Sequence, residues 1–312
     1  MRPWAGALPT SRVGMRLAAA AVVCTTGAPS AYVTMVTDWL DSAGLEWRRL
    51  QLEGAWGPVL AIQGGGGGGG GRGSANLALH LLASPCSPAD VQPPGCNAWL
   101  TDACAERHPP TTLVHLHEDV WRSRGDIVRA RLLARCGCVR SRLFARSTTV
   151  RRIAAAEYMP FLDANHLWGS TKAKYAYGLF SRSDELVAVA TFSARRWVTR
   201  AGTRHASHEL LRTCCAKDGA VVGGISRLIR AFVRAHDADD IVTIVDRDWG
   251  TALGWRAMGM PSFPFTHSRH QIGLQRVQSA RTTACSQSRL HCVFWSAPII
   301  FSSPFTLCTT LS

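Results

Sequence analysis

The sequence predicts an α+β fold: a mixed, mostly antiparallel sheet flanked by helices, carried on the middle of the chain. Three observations predict it. The apolar runs Tyr175–Phe180 and Leu186–Phe192 are separated by Ser181-Arg182-Ser183-Asp184-Glu185, which is a hairpin signal. The stretch Val221-Val222-Gly223-Gly224-Ile225-Ser226-Arg227-Leu228 passes from an apolar pair through a double glycine into a helical pattern. There Leu228, Ile229 and Phe232 share one face, with Arg227, Arg230 and Arg234 turned away. Ile241–Asp246 is β-branched and apolar, as a buried strand requires, and Thr251–Met258 follows as a last helix closed by Gly259.

Taken in order, residues 36 to 50 show a short amphipathic pattern from Val36, Trp39, Leu40, Leu45 and Trp47. Gly64–Gly71 is an unbroken glycine tract, a flexible linker by composition, and Pro85–Pro110 is rich in Pro, Cys and small polar residues. Little regular structure is expected before about residue 111. Leu113–Leu116 reads as a strand. Asp126–Arg135 reads as a helix with Asp126 as N-cap and Gly137 just past its end. Leu143–Ala145 is a short strand, Ile153–Leu162 a helix whose end Pro160 interrupts or kinks, and Glu209–Cys214 a further strand. From Pro261 on no periodicity is legible, although Val293-Phe294-Trp295 and Ile299-Ile300-Phe301 are apolar enough to pair as strands. The organisation expected is a low-order leader and linker over 1–110, one domain over 111–262 and an irregular tail over 263–312.

The chain is basic, with a formal charge of +14, and of its 35 basic residues only Lys172, Lys174 and Lys217 are lysine. Total charge of this kind follows from arginine-rich coding as readily as from a nucleic-acid partner, so distribution matters more. Between Arg122 and Arg152 there are ten arginines and one acid, Asp126. The eleven cysteines are scattered and form no CxxC pair, which argues against a zinc ribbon. No apolar run approaches the roughly 20 residues of a membrane span. The segment before Asp38 is acid-free and carries Arg2, Arg12 and Arg16. It has the look of an organelle transit peptide, with a secretory signal as the competing reading. A nucleus-bound protein with no such leader is the third.

A family resemblance rests on a set of short words in order: Leu116-His117-Glu118-Asp119-Val120-Trp121, Leu143-Phe144-Ala145-Arg146, Phe161-Leu162-Asp163-Ala164-Asn165-His166-Leu167-Trp168-Gly169, Glu209-Leu210-Leu211-Arg212, the double-glycine stretch, and Val245-Asp246-Arg247-Asp248-Trp249. With these, residues 113 to 260 resemble the GNAT-like C-terminal region of phage Hef-like homing endonucleases, whose nuclease part is of the very-short-patch-repair type. The second half is also similar to Mom-type phage proteins that modify adenine in DNA. The resemblance implies a GNAT-like sheet, an acetyl-CoA or related acyl-CoA donor, a DNA partner and no metal in this part of the chain. It also implies a V-shaped gap between the 186–192 and 209–214 strands for the donor's pantetheine arm. The chain departs from the acetyltransferase pattern at Gly223-Gly224-Ile225, which breaks the spacing of the phosphate loop. It departs again at Trp255, which stands where many such enzymes keep a tyrosine acid. No acidic strand motif is legible in residues 1 to 110, so a working nuclease is not expected.

The candidate site follows. Val221, Val222, Gly223, Gly224 and Ser226 would hold the donor, because a helix opening after a glycine turn points free N–H groups at an anion. A plain turn between two core elements is the other reading. His166, beside Asn165 at a helix end, would act as a base near neutral pH or simply meet the helix dipole. Asp246, at the end of a buried strand, would orient an amine or take its proton, or else be a loop acid balanced by Arg247. Arg129, Arg131, Arg135, Arg142 and Arg146 would contact DNA phosphates, or form a solvated helix face. An N-acyltransferase acting near DNA leads. A non-catalytic DNA-binding module, or an inactive relic of a homing endonuclease, is the alternative.

Overall fold

The computed structural model describes residues 30–63, 76–86, 92–93, 95–200, 202–251, 253–258, 260, 262–263 and 290–296. The expectations for the leader, the glycine tract, Gly259 and Ile299–Phe301 lie outside them.

Regular structure begins far earlier than residue 111. Helix α1 (Ala31–Ser42) is opened by Ser30, whose side chain accepts the Val33 N–H, and buries Tyr32, Val33, Val36 and Leu40 along one face. Strands β1 (Trp47–Leu50), β2 (Val59–Ile62), β3 (Asn76–Leu82) and β4 (Thr111–His117) form a sheet in that order. Its first two pairings are antiparallel. β3 and β4 run parallel, joined by a crossover that contains α2 (Cys96–Ala105). Alternation along the strands sorts two cores. Leu60, Ile62, Leu77, Leu79, Leu81, Val114 and Leu116 pack with α1 and with helices α3 (Glu118–Ser123) and α4 (Gly125–Arg135). Val59, Ala78 and Leu113 pack on the other face against Leu100 and Cys104 of α2. The expectation of little order before Thr111 fails because the strands are short and separated by glycine and proline stretches. That composition hides a period-2 pattern.

The larger sheet has the order β13 (Ser262–Phe263), β14 (Leu290–Ser296), β12 (Asp240–Asp246), β10 (Thr203–Cys215), β8 (Leu186–Phe192), β7 (Tyr175–Phe180), β6 (Thr149–Arg152), with β9 (Arg196–Arg200) pairing the start of β10. All its pairings are antiparallel except β10 with β12. Helix α6 (Gly224–His236) covers one face with Leu228, Ile229 and Phe232, the three residues whose spacing marks them, and Phe232 stacks on Phe192 at 3.8 Å. Helix α5 (Ala155–Asn165) covers the other with Tyr158 and Leu162. A separate parallel pair joins β5 (Ser141–Phe144) to β11 (Gly219–Val222). The fold is therefore α+β, with mostly antiparallel sheets flanked by helices, as the sequence predicts.

Some local expectations change. Arg124, not Asp126, occupies the α4 N-cap; Asp126 sits in the first turn and binds Lys217 Nζ at 2.8 Å. Pro160 lies inside α5 rather than ending it. The buried Tyr158 and Leu162, and a Glu157 carboxylate accepting the Ala154 N–H at 2.9 Å, hold the helix across the missing donor. The tail is not wholly irregular, since β14 pairs along the full length of β12. No described helix is long and apolar enough to cross a membrane.

Candidate functional site

Parallel pairing of β10 with β12 covers only Ser207–Leu210 against Asp240–Thr243. Beyond that point β10 continues to Cys215 against β8, and β12 continues to Asp246 against β14, so the two strands part. A β-bulge between Leu210 and Arg212 bends β10 away at the fork, and Thr243 Oγ1 closes the last joint by donating to the Leu210 carbonyl at 2.8 Å. The expected gap between 186–192 and 209–214 does not exist: those strands are paired from Phe192–Leu210 to Ala188–Cys215. The opening is one strand further over.

A cavity of about 640 Å³ fills this fork, within the range of ligand pockets. Its walls come from β10 and β12, from α4, from the loop after α5, from β11 and from helix α7 (Leu253–Ala257). Asn165, His166 and Asp246, far apart in sequence, all line it. Of the turn residues, Val221 lines it, whereas Val222, Gly223, Gly224 and Ser226 do not. Gly223 takes a left-handed φ of 76°, which favours glycine, and a Cβ on the buried Gly224 would press Val221 and Leu179 at 3.1–3.2 Å. The glycine corner is therefore packed against its own neighbours, and Gly219, Ala220 and Val221 form the cavity rim there.

The chemistry of the lining is specific. Asn165 is committed to structure: its Nδ2 donates to the Phe161 carbonyl at 2.7 Å and its Oδ1 accepts the Lys217 N–H at 2.8 Å, pinning the end of α5 to the β10–β11 turn. His166 Nδ1 accepts the Trp168 N–H at 3.1 Å. Burial, with Arg212 and Arg131 nearby, lowers its pKa to about 3, so the ring is neutral and carries its proton on Nε2. Asp246 caps the turn after β12 by accepting the Asp248 N–H at 3.0 Å. Cys214 and Cys215 also line the cavity, and burial raises both thiols, Cys214 to about 12, which keeps them protonated and poorly nucleophilic.

The basic stretch divides. Arg129, Arg135, Arg142 and Arg146 are exposed. Arg131 is half-buried over the Trp249 ring at 4.3 Å and lines the cavity. Arg135 also lines the cavity and donates to the Trp249 carbonyl. An arginine run has the same letters whether it faces water or an interior. Only the core positions Ile127, Val128 and Leu132 fix the face of α4, and those are legible. Arg212 lines the cavity beside Trp168. Among the described residues no group of three or more His, Cys, Asp or Glu could hold a metal ion.

No family model matches the chain. No curated protein matches it either. Among solved structures it is similar to an acetyltransferase from Corynebacterium glutamicum described as histone acetyltransferase HPA2 and related, at 13% identity over 49% of this chain and 99% of that one, with a TM-score of 0.29. It is similar to an N-acetyltransferase from Staphylococcus aureus at 10% identity over 48% and 97%, with a TM-score of 0.30. A variant of the AtaT toxin bound to the C-terminus of the antitoxin AtaR and to acetyl-CoA matches at 12% identity over 48% and 93%, with a TM-score of 0.29. Likenesses this loose decide nothing about fold family or activity.

Proposed function

We propose that residues from β6 onward form a GNAT-like domain that transfers an acyl group from an acyl-CoA to an amine in the β10–β12 fork. The observation that carries this reading is the fork itself. Two parallel strands that part after four paired residues leave inward-facing backbone N–H and C=O groups without strand partners. An extended ligand that carries amides, such as a pantetheine arm, satisfies such edges as an added strand does. The acyl-CoA supplies the thioester. The amine nitrogen attacks the thioester carbonyl carbon, Asp246 takes the proton it sheds, and as the new C–N bond forms the C–S bond breaks, so that CoA leaves and receives that proton on its sulfur as the free thiol. His166, neutral and protonated on Nε2, donates a hydrogen bond to the thioester carbonyl oxygen, a polarising role in place of the base expected from sequence. Asn165 positions the loop. With both thiols protonated, direct transfer is favoured over a cysteinyl intermediate. Calorimetric titration with acetyl-CoA tests the donor: micromolar to millimolar binding that Asp246→Asn preserves, with loss of acetyl transfer in that variant, is the expected result. No heat at millimolar acetyl-CoA contradicts it.

DNA as the macromolecular partner, and descent from a phage Hef-like or Mom-type protein, belong to the same proposal. The exposed Arg129, Arg142 and Arg146, in a stretch of ten arginines and one acid from Arg122 to Arg152, support the first. The relic reading draws on a different observation: β1 to β4 carry no Asp or Glu on any strand, and the carboxylates beside them are engaged, Asp248 with His117 at 3.2 Å and Glu118 with Arg122 at 2.8 Å. Filter binding of duplex DNA at rising salt tests the partner. A salt slope that flattens when the three arginines are replaced by Gln is expected, and an unchanged slope counts against it.

A further inference from the structure

We propose that Arg131 and Arg212 form an oxyanion subsite inside the fork cavity, one that takes a phosphate or carboxylate of a bound substrate. As a subsite of acyl transfer it rests on the reading above; as an anion site it stands alone. The two guanidiniums come from different elements, α4 and β10, and converge on one cavity. The other cations of the lining are engaged: Lys217 binds Asp126 and Arg135 binds the Trp249 carbonyl. Arg131 and Arg212 have donors to spare. Arg131 is half-buried over the Trp249 ring at 4.3 Å, and among the described residues it makes no hydrogen bond or ion pair. Arg212 gives Nη1 to the Leu211 carbonyl, while its Nε is buried without a hydrogen-bond partner.

The buried, unmet Nε of Arg212 costs stability that an incoming anion recovers. The planar fork of a guanidinium matches a carboxylate or phosphate edge. Among the described residues Asp246 is the one acid of the lining; it offsets part of the Arg131 charge, with one oxygen already taken by the Asp248 N–H, and Glu209, which also meets Arg196 at 3.4 Å, offsets part of the Arg212 charge. The balance of the cavity is cationic. Trp249 and Trp168 keep the two side chains in place, so the donors are set before a ligand arrives.

The experiment is titration of the full chain with inorganic phosphate at constant ionic strength, followed by calorimetry and thermal unfolding. Arg131→Met and Arg212→Met are expected each to weaken phosphate at least tenfold. Arg131→Met keeps the stem packed on Trp249 while removing a charge that Asp246 offsets only in part, so its ligand-free Tm should stay close to that of the parent. Arg131→Lys should keep part of the phosphate binding. Phosphate affinity within twofold of the parent in both Met variants, or no phosphate response beyond a chloride control, overturns the proposal. Parallel titrations with CoA and with pantetheine assign the source. If Arg131→Met weakens CoA but not pantetheine, the oxyanion is the donor's; if it weakens phosphate alone, the oxyanion is the acceptor's. Phosphate binding with no response to CoA or pantetheine would leave the anion site standing and sink the transfer reading.

Discussion

His80 and His166 are held neutral by burial, each with a pKa lowered to about 3. For a histidine whose folded value lies below its ordinary 6.5, the unfolded chain takes the proton first, so stability is unaffected above 6.5 and is lost as pH falls from there toward 3. His80 is fully buried; its Nδ1 meets His115 Nδ1 at 2.9 Å, and His115 Nε2 meets Thr101 Oγ1 at 2.8 Å. One proton serves the Nδ1–Nδ1 contact, and a second would force the rings apart. His80→Leu should therefore flatten the acid limb of the stability profile by about one proton, or about 1.4 kcal/mol per pH unit. Urea unfolding between pH 4 and 7 measures this, and an unchanged slope would contradict it. The same reasoning removes His166 from any titration near neutrality, so the pH–rate profile of transfer should show no limb at the ordinary histidine value. At this scale Asn165, His166 and Asp246 were legible because they end elements, where sites gather. The inward turn of Arg131 was not, since it depends on Trp249, far away in sequence.

At the scale of elements, α6 was the clearest reading. Its bounds follow from the glycine turn and its buried stripe from the spacing of Leu228, Ile229 and Phe232. Phe232→Ala removes the ring stacked on Phe192 and should cost about 3–5 kcal/mol in equilibrium unfolding. A loss under about 1 kcal/mol would mean that the helix does not pack as described. The fork was hidden, because a bulge at Leu210–Arg212 is a matter of register between strands, and register across a sheet leaves no local signature. Gly57 was equally silent in the sequence. A Cβ there would meet the Leu81 carbonyl oxygen at 2.1 Å, a backbone atom that cannot step aside, so Gly57→Ala should break the first sheet and show as lost cooperativity on heating.

For the whole molecule, the sequence placed a boundary at Thr111, whereas the structure ties the two sheets together across it. β4 is hydrogen-bonded to β3 along its length. Leu167, in the loop between α5 and β7, and Trp249, just after β12, are buried in the core of the first. Asp248 meets His117 at 3.2 Å, and Arg247 binds Asp102 at 2.6 Å. A chain cut to begin at Thr111 should therefore be poorly soluble and bind 8-anilinonaphthalene sulfonate, with β4 and Trp249 uncovered. A cooperative unfolding transition from that fragment would show the larger sheet to be independent. The linkage also carries function, since α4, which brings Arg131 to the cavity, packs in the first core.

Backbone hydrogen exchange with and without acetyl-CoA tests the central claim most directly. If the fork is the donor site, amides of 211–215 and 244–246 gain protection on binding while those of β6 and β7 stay as they were. Protection confined to other segments, or none at saturating acetyl-CoA, would contradict it.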